Sequence, residues 1–556
     1  MENTGGGWAG AWQEPVATLR VMMTADPTTP SAYTPRLMGN LPAEAARLWG
    51  DREALVWGER RWTHTEFASE VDLVAKALIG IGVQSGDKVG IWMTNRPEWL
   101  FLMYAIPAVG AVTVPLNTRY RAEDVQYTVD QSDTSTLIFN DQSGPIDYAA
   151  MVREVQGNWP KVERMVVLGE DRPDDSIGWD EFLAAGTLVT DETAAARAAA
   201  VRFEDPMIII YTSGTTSLPK GAVHNHSVLR NVAERTQMHG VTVDDVHAGY
   251  LPLFHAFGYT EVALFTVLTG GKTILFETFD AEAILDAAEA EGITFLHGFD
   301  THWGDFLRVN AARPRQLSVR LGTLAAGQES STPIARRVQA ELCSTVSGWG
   351  MSEVWTACVV GHVTNTIEQR TEASGYPMHG VELKVIDPAT GLEQPSDAPG
   401  ELLCRSYTTM LGYYGKPEAT AETIDADGWL HSGDLCRMRP DGHVVFMGRL
   451  KDMLKVGGEN VAPAEMEGRL RELPGVNDVA IVGLPDARLG EVPVAYVLPE
   501  TGAVLDPDHL LDHLRSRVAS FKMPRHIKIV DALPMTPTGK IRKVELRAQA
   551  VEDFGG

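Results

Sequence analysis

Short apolar runs recur along most of the chain, each set between turn residues and alanine-rich stretches of helical pattern. Lys88-Val-Gly-Ile-Trp-Met93, Thr136-Leu-Ile-Phe139 and Met165-Val-Val-Leu168 are of this kind, as are Thr273-Ile-Leu-Phe276 and Ile293-Thr-Phe-Leu296. Runs this short predict buried strands, and residues 281–292 predict a helix between two of them. Strand and helix in alternation imply α/β layers around largely parallel sheets. Residues 99–118 carry no charge and are long enough to suggest a membrane span. Pro107, Gly110 and Pro115 interrupt them, and Ala111-Val-Thr-Val-Pro115 is short and β-branched. The pattern predicts a buried helix running into a core strand, with no membrane insertion. Residues 1–40, rich in Gly, Thr and Pro, predict an irregular arm, and the acidic, alanine-rich residues 171–199 a surface excursion.

The pattern changes near Arg449. The segment from Gly448 to Asn460 is dense in charge and glycine. A compact sequence follows: helix 464–472, strands 479–483 and 492–497, helix 508–518 and strand 526–530. This is enough chain for an independent α+β domain. The expected organisation is therefore an arm at 1–40, a large multi-layer α/β domain at 41–449 and a small α+β domain at 450–556.

The 556 residues are 44% hydrophobic and 8% aromatic, which is ordinary for a globular protein rather than a disordered one. A net charge of −26 excludes sequence-independent binding to nucleic acid or to anionic lipid. The charge is uneven: residues 450–556 hold 14 Lys+Arg against 16 Asp+Glu, leaving −24 on the rest. Within 515–547 nine basic residues face two acidic ones, either as a solvated face or as a surface brought against phosphates. Cys343, Cys358, Cys404 and Cys436 form no Cys-x-x-Cys, so neither a disulfide framework nor a zinc ribbon is expected, and a reducing cytoplasm fits. The N-terminus lacks the basic and apolar regions of a signal peptide.

The densest chemistry follows the apolar run Met207-Ile-Ile-Ile210. In Tyr211-Thr-Ser-Gly-Thr-Thr-Ser-Leu-Pro-Lys-Gly221, hydroxyls, glycines and a lysine crowd one loop. Such a loop offers hydroxyl and backbone donors and one mobile cation to a polyphosphate. It is not a Walker A loop, because Gly221 and Ala222 follow Lys220 where Ser or Thr is required. His224-Asn-His226 has no third metal ligand nearby in sequence, and no Gly-x-Ser-x-Gly or Gly-x-Gly-x-x-Gly motif occurs.

This loop resembles the phosphate loop of the adenylate-forming superfamily: acyl- and aryl-CoA synthetases, luciferases and peptide-synthetase adenylation domains. Five further segments resemble it in the same order: Leu251-Pro-Leu-Phe-His255, Gly348-Trp-Gly-Met-Ser-Glu353, Gly428-Trp-Leu-His-Ser-Gly-Asp434, Gly448-Arg-Leu-Lys-Asp452 and Pro534-Met-Thr-Pro-Thr-Gly-Lys540. The resemblance spans about residues 40–545 and is closest to the acyl-CoA synthetases.

It implies an ATP- and Mg²⁺-dependent carboxylic acid–CoA ligase that makes an acyl-adenylate and then a thioester from a fatty or other bulky hydrophobic acid. Thr212, Ser213, Gly214, Thr215, Thr216 and Lys220 would grip the β- and γ-phosphates, with Glu353 and Thr216 at magnesium. Gly327, Gln328 and Glu329 would line the adenine beside Trp349, Gly350 and Ser352, with Asp434 and Arg449 at the ribose. His255 would border the acyl pocket. Lys540 would join carboxylate and α-phosphate, and the small domain would turn about Lys451 to bring Gly457 and Gly458 to the coenzyme A arm. A homodimer is compatible with the resemblance. Ser217 replaces the usual glycine, Ser352 a threonine and Trp349 a tyrosine. Gly298-Phe-Asp-Thr-His-Trp303 stands where fatty-acid relatives carry an apolar, proline-containing segment, which counts against a plain alkyl tunnel. A stand-alone ligase loading a carrier protein, a luciferase-like oxygen chemistry and a non-catalytic nucleotide-binding regulator stay open as alternatives.

Overall fold

The computed structural model describes residues 33–212, 218–456, 459–515, 517–535 and 541–555. Its apolar runs assemble into two large sheets. One runs Gly412–Tyr413, Gly221–Asn225, Pro206–Tyr211, Val112–Pro115, Lys88–Trp92, Thr134–Asn140, Arg164–Leu168 and Ser176–Gly178. Pairing is parallel from Pro206–Tyr211 onward and antiparallel across the two strands before it. The other runs Ser344–Val346, Leu321–Leu324, Phe295–Gly298, Val246–Gly249, Lys272–Leu275, Glu53–Trp57 and Arg60–Thr63, and is antiparallel only at the last pair. Mixed α/β layers with mainly parallel sheets are thus what the alternation builds.

The uncharged stretch is core. Helix Pro97–Ala108 buries every residue from Trp99 to Pro107. Gly110, at φ +75°, turns the chain into Val112–Pro115, which is buried throughout. Among the described residues no helix is long and apolar enough to cross a membrane. Helix Ala281–Glu291 stops at Gly292, whose φ of +67° is the left-handed helix end that glycine permits.

Residues 171–199 are not a surface excursion. Ser176–Gly178 extends the first sheet, and helix Trp179–Gly186 buries Phe182 and packs on helix His64–Gly80. A side chain at Gly80 would meet the Ala185 carbonyl oxygen at 2.4 Å, and one at Gly186 the Ala77 nitrogen at 2.7 Å. The small residues that gave the stretch its loop-like composition are what let the two backbones approach.

A four-stranded antiparallel sheet follows, Val381–Ile386, Gly400–Ser406, Leu430–Met438 and Val444–Arg449. The separate C-terminal domain is built on the antiparallel pair Val476–Asp486 and Gly490–Pro499, with His526–Ile529 added in parallel. Apolar clusters lie on both faces of this sheet, under helices Pro463–Arg471 and Pro507–Arg515 on one and Lys543–Phe554 on the other. Much of the basic run is answered locally: Lys522 by Glu465, Arg525 by Asp486, Lys528 by Asp553 and Lys543 by Glu467.

Candidate active site

The phosphate-loop segment connects two antiparallel strands. The Thr212 N–H donates to the Lys220 carbonyl at 2.9 Å, and the Lys220 N–H reaches Thr212 Oγ1 at 3.4 Å, closing the base of the loop. Ser213, Gly214, Thr215, Thr216 and Ser217 lie outside the described residues. Beyond the base, Lys220 Nζ stands 4.8 Å from the centre of the Tyr413 ring, and the Tyr413 hydroxyl donates to Glu353 Oε1 at 2.6 Å. Tyr413 arrives there because Gly412–Tyr413 pairs with Gly221–Asn225 at the sheet edge, opposite Ala222. Burial and the adjacent Glu353 carboxylate push its phenol pKa up, so it stays protonated and donates.

Glu353 is buried at the end of the turn that follows strand Gly348–Trp349. Within that turn a side chain at Gly350 would sit 1.8 Å from the Thr356 carbonyl oxygen, so only glycine fits. The Ser352 carbonyl is held by His224 Nε2 at 2.6 Å; burial lowers the His224 pKa to about 4, leaving a neutral ring that donates. His226 accepts from the Met38 N–H at 3.1 Å, so the two histidines serve separate contacts. Among the described residues no group of three or more His, Cys, Asp or Glu is arranged to hold a metal ion.

Trp349 donates its indole N–H to Asp434 Oδ2 at 2.8 Å, and Arg449 Nε meets Asp434 Oδ1 at 2.9 Å. Asp434 and Arg449 face each other across the antiparallel ladder of Leu430–Met438 and Val444–Arg449. Opposite them, the chain leaving strand Leu321–Leu324 is fixed at Ala326, whose N–H donates to Ser347 Oγ at 2.7 Å. Gly327, next in line, has φ +100°, and a side chain there would meet Ser374 Oγ at 2.4 Å. Gln328 lines the same space, and the Glu329 side chain is not among those described. His255 caps a short helical turn, its Nδ1 accepting from the Phe257 N–H at 3.2 Å.

One cavity of about 670 Å³ joins Thr212, Lys220, His255, Gln328, Trp349, Gly350, Ser352, Glu353, Asp434, Arg449 and Lys451. The C-terminal domain adds a wall of its own, including Arg471, Ile541 and Lys543. Lys540, Gly457 and Gly458 lie outside the described residues. The flanks of the lysine loop meet in a bridge between Met535 and Ile541, beside the cavity. Lys451 lies in the single turn Leu450–Asp452, and burial lowers its pKa.

The Asp300–His302 segment divides. Asp300 borders the cavity and accepts from Ser331 Oγ at 2.9 Å, and Arg471 of the C-terminal domain attracts it while donating to the Ser330 carbonyl at 3.0 Å. Burial raises the Asp300 pKa, and Arg471 opposes the rise. His302 instead caps its own helix, accepting from the Phe299 N–H at 3.2 Å, and packs edge-on against Phe279. Sequence reading passed over Tyr413, Arg471, Arg235 and Glu261, all of which line the cavity. The only signal for Tyr413 was a glycine- and tyrosine-rich run at 411–415, which reads equally as a turn.

The chain is 35% identical over 538 residues to a (7a-methyl-1,5-dioxo-octahydroinden-4-yl)propanoyl:CoA ligase of Rhodococcus jostii (strain RHA1), covering 95% of this chain and 100% of that one. Its fold is similar to the anthranilate CoA ligase AuaEII in complex with anthranoyl-AMP, with a TM-score of 0.85, 26% identity and coverage of 94% and 98%. It is also similar to ATP-bound MatB from Rhodopseudomonas palustris, with a TM-score of 0.80, 27% identity and coverage of 93% and 99%. Residues 42–414 match the AMP-binding enzyme family and residues 465–540 the AMP-binding enzyme C-terminal domain. The chain therefore belongs to the AMP-binding, adenylate-forming enzyme family.

Proposed function

We propose that this AMP-forming acid–CoA ligase runs both half-reactions at the one cavity, on a bulky hydrophobic acid for which ring-bearing acids are the first to try. The reading rests on convergence: phosphate-loop base, buried carboxylate, Asp434–Arg449 pair and C-terminal domain border a single space.

In the first half-reaction a carboxylate oxygen attacks the α-phosphorus of ATP, the new P–O bond forms and pyrophosphate departs. Both reactants are anions, so preorganised positive charge and alignment supply most of the acceleration. Thr212 and Lys220, with Ser213, Gly214, Thr215 and Thr216, hold the β- and γ-phosphates. Asp434 accepts from the ribose hydroxyls, oriented by Trp349 and Arg449, and Gly327, Gln328, Glu329, Gly350 and Ser352 bed the adenine. Lys540 joins the carboxylate to the α-phosphate, and His255 borders the acid.

Glu353 and Thr216 would hold Mg²⁺. The donor set fits, because magnesium takes one or two protein carboxylates and completes its shell with phosphate oxygens and water. When bound, the ion neutralises charge on the departing pyrophosphate. In the second half-reaction the C-terminal domain turns about Lys451, withdrawing Lys540 and bringing Gly457 and Gly458 to the thiol's path. The coenzyme A sulfur attacks the acyl carbon, giving up its proton as the bond to AMP breaks. Four free, buried cysteines support a reducing, cytoplasmic setting.

Acid-dependent ATP–pyrophosphate exchange, followed by CoA-dependent AMP release, tests the reading. Lys540→Ala is expected to lower exchange about 100-fold or more while ATP binding by calorimetry is kept. Wild-type exchange in that variant would remove Lys540 from the reaction. Adenylate consumed by an acyl carrier protein and not by CoA would replace the acceptor.

A further inference from the structure

One wall of the cavity has no task in either half-reaction. Helix Val228–Met238 contributes Arg235, and His239 follows it directly. The π-helical turn Tyr259–Leu264, just beyond His255, contributes Glu261. All three border the cavity and are buried, Glu261 completely. Arg235 and Glu261 form an ion pair, and Arg235 Nη1 donates to Thr356 Oγ1 at 2.9 Å.

These contacts leave polar atoms over. Glu261 Oε2, Arg235 Nε and both ring nitrogens of His239 have no hydrogen-bond partner among the described residues. His297 Nδ1 is 4.0 Å from Glu261 Oε2 and already engages Thr323 Oγ1 at 2.9 Å. Native interiors leave few buried polar atoms unpaired, so several around one cavity ask for a ligand. π-Helical turns also occur frequently at functional sites.

The chemistry narrows the ligand. An alkyl end would bury these atoms dry, at the full cost of their lost hydration. A second carboxylate would meet the Glu261 carboxylate, and Arg235 is already neutralised. His239 is held neutral by burial and by the neighbouring Arg235 charge, so it offers one donor and one acceptor. A neutral oxygen satisfies the set: a ketone takes N–H donors, and a hydroxyl can also donate to Glu261 Oε2. We propose that Arg235, His239 and Glu261 form a specificity site for a neutral oxygen, ketone or hydroxyl, on the acid at a position remote from its carboxylate. The proposal rests on the ligase reading and narrows its substrate class.

Matched acids test it on the whole protein. Pyrophosphate exchange is measured for ring-bearing propanoic acids carrying a ketone or hydroxyl on the ring, their deoxy isosteres and the corresponding dicarboxylates. A site built to pair a substrate oxygen discriminates strongly against the analogue lacking it, so kcat/KM is expected to favour the oxygenated acid by about 100-fold or more. Equal values for the deoxy isostere, or a preference for the dicarboxylate, would overturn the proposal. Removing Glu261 could unfold the chain, so the companion variant is His239→Leu, whose ring makes no hydrogen bond to any of the described residues. It is expected to raise KM for the oxygenated acid about tenfold, with kcat and Tm little changed. A fall in Tm with equal losses on every acid would make the cluster structural and overturn the site. Exchange with deoxy acids alone overturns the site and leaves the ligase reading standing, whereas exchange with no acid overturns both.

Discussion

Tyr413 contacts both an anion and a cation of the cavity wall. Its hydroxyl fixes Glu353 at 2.6 Å, and its ring face receives Lys220 at 4.8 Å. In the proposed reading this keeps Glu353 for a cation arriving with the nucleotide, and Lys220 for phosphate. A hydrogen bond to a charged acceptor contributes about 1.5–3 kcal/mol, so Tyr413→Phe is expected to slow pyrophosphate exchange about tenfold or more at saturating acid. Tyr413→Leu should slow it further, because a cation–π contact contributes about 0.5–2 kcal/mol. A Phe variant as fast as wild type would release Tyr413 from this role. Trp349 shows the same economy. Standing where the family resemblance places a tyrosine, it reaches Asp434 with its indole N–H and so puts a donor on the acid.

At the scale of elements, the turn after strand Leu321–Leu324 depends on its backbone more than on its side chains. Gly327 holds φ +100°, and a methyl group there would press on Ser374 and on the backbone of Ala373. Strained backbone of this kind costs about 1–3 kcal/mol. Gly327→Ala is therefore expected to weaken ATP binding about tenfold by calorimetry and to lower Tm by a few degrees, and unchanged ATP affinity would take the turn out of the nucleotide site. Elements of this sort were legible because their signal is local. The run Thr136-Leu-Ile-Phe139 announced Thr134–Asn140, and the charge-free stretch announced Pro97–Ala108 with its following strand. Local pattern failed where tertiary pairing decided. Helix Trp179–Gly186 hid in a loop-like composition because its glycine and alanines serve a close helix crossing. Tyr413 sits in a two-residue edge strand whose place is set by register against Gly221–Asn225. The buried charges Arg235 and Glu261 carry no local signal, because only the fold brings them together.

At the scale of the molecule, the C-terminal domain is a wall of the cavity as well as a neighbour. Helix Pro463–Arg471 packs on the turn Glu329–Ser331, and Arg471 reaches across to the Ser330 carbonyl while facing Asp300. Within its own domain Arg471 is held by Asp478 at 2.6 Å, so it arrives preorganised rather than as a loose surface cation. This arrangement presents Ile541 and Lys543 to the cavity, next to the segment that carries Lys540. If adenylation needs that face and thioester formation needs it withdrawn, the Asp300–Arg471 attraction biases the enzyme toward the first half-reaction. A ligand or contact shifts a two-state equilibrium only by its differential energy. A partly screened charge pair contributes on the order of 1 kcal/mol, or about fivefold in that equilibrium. Asp300→Asn keeps the shape and the Ser331 hydrogen bond but removes the charge. Single-turnover measurements should then show adenylate formation slowed about fivefold, with CoA-dependent consumption of preformed adenylate unchanged or faster. Equal slowing of both steps would mean that Asp300 shapes the cavity rather than the position of the domain. No change in either would mean that the helix packing alone holds the domain in place.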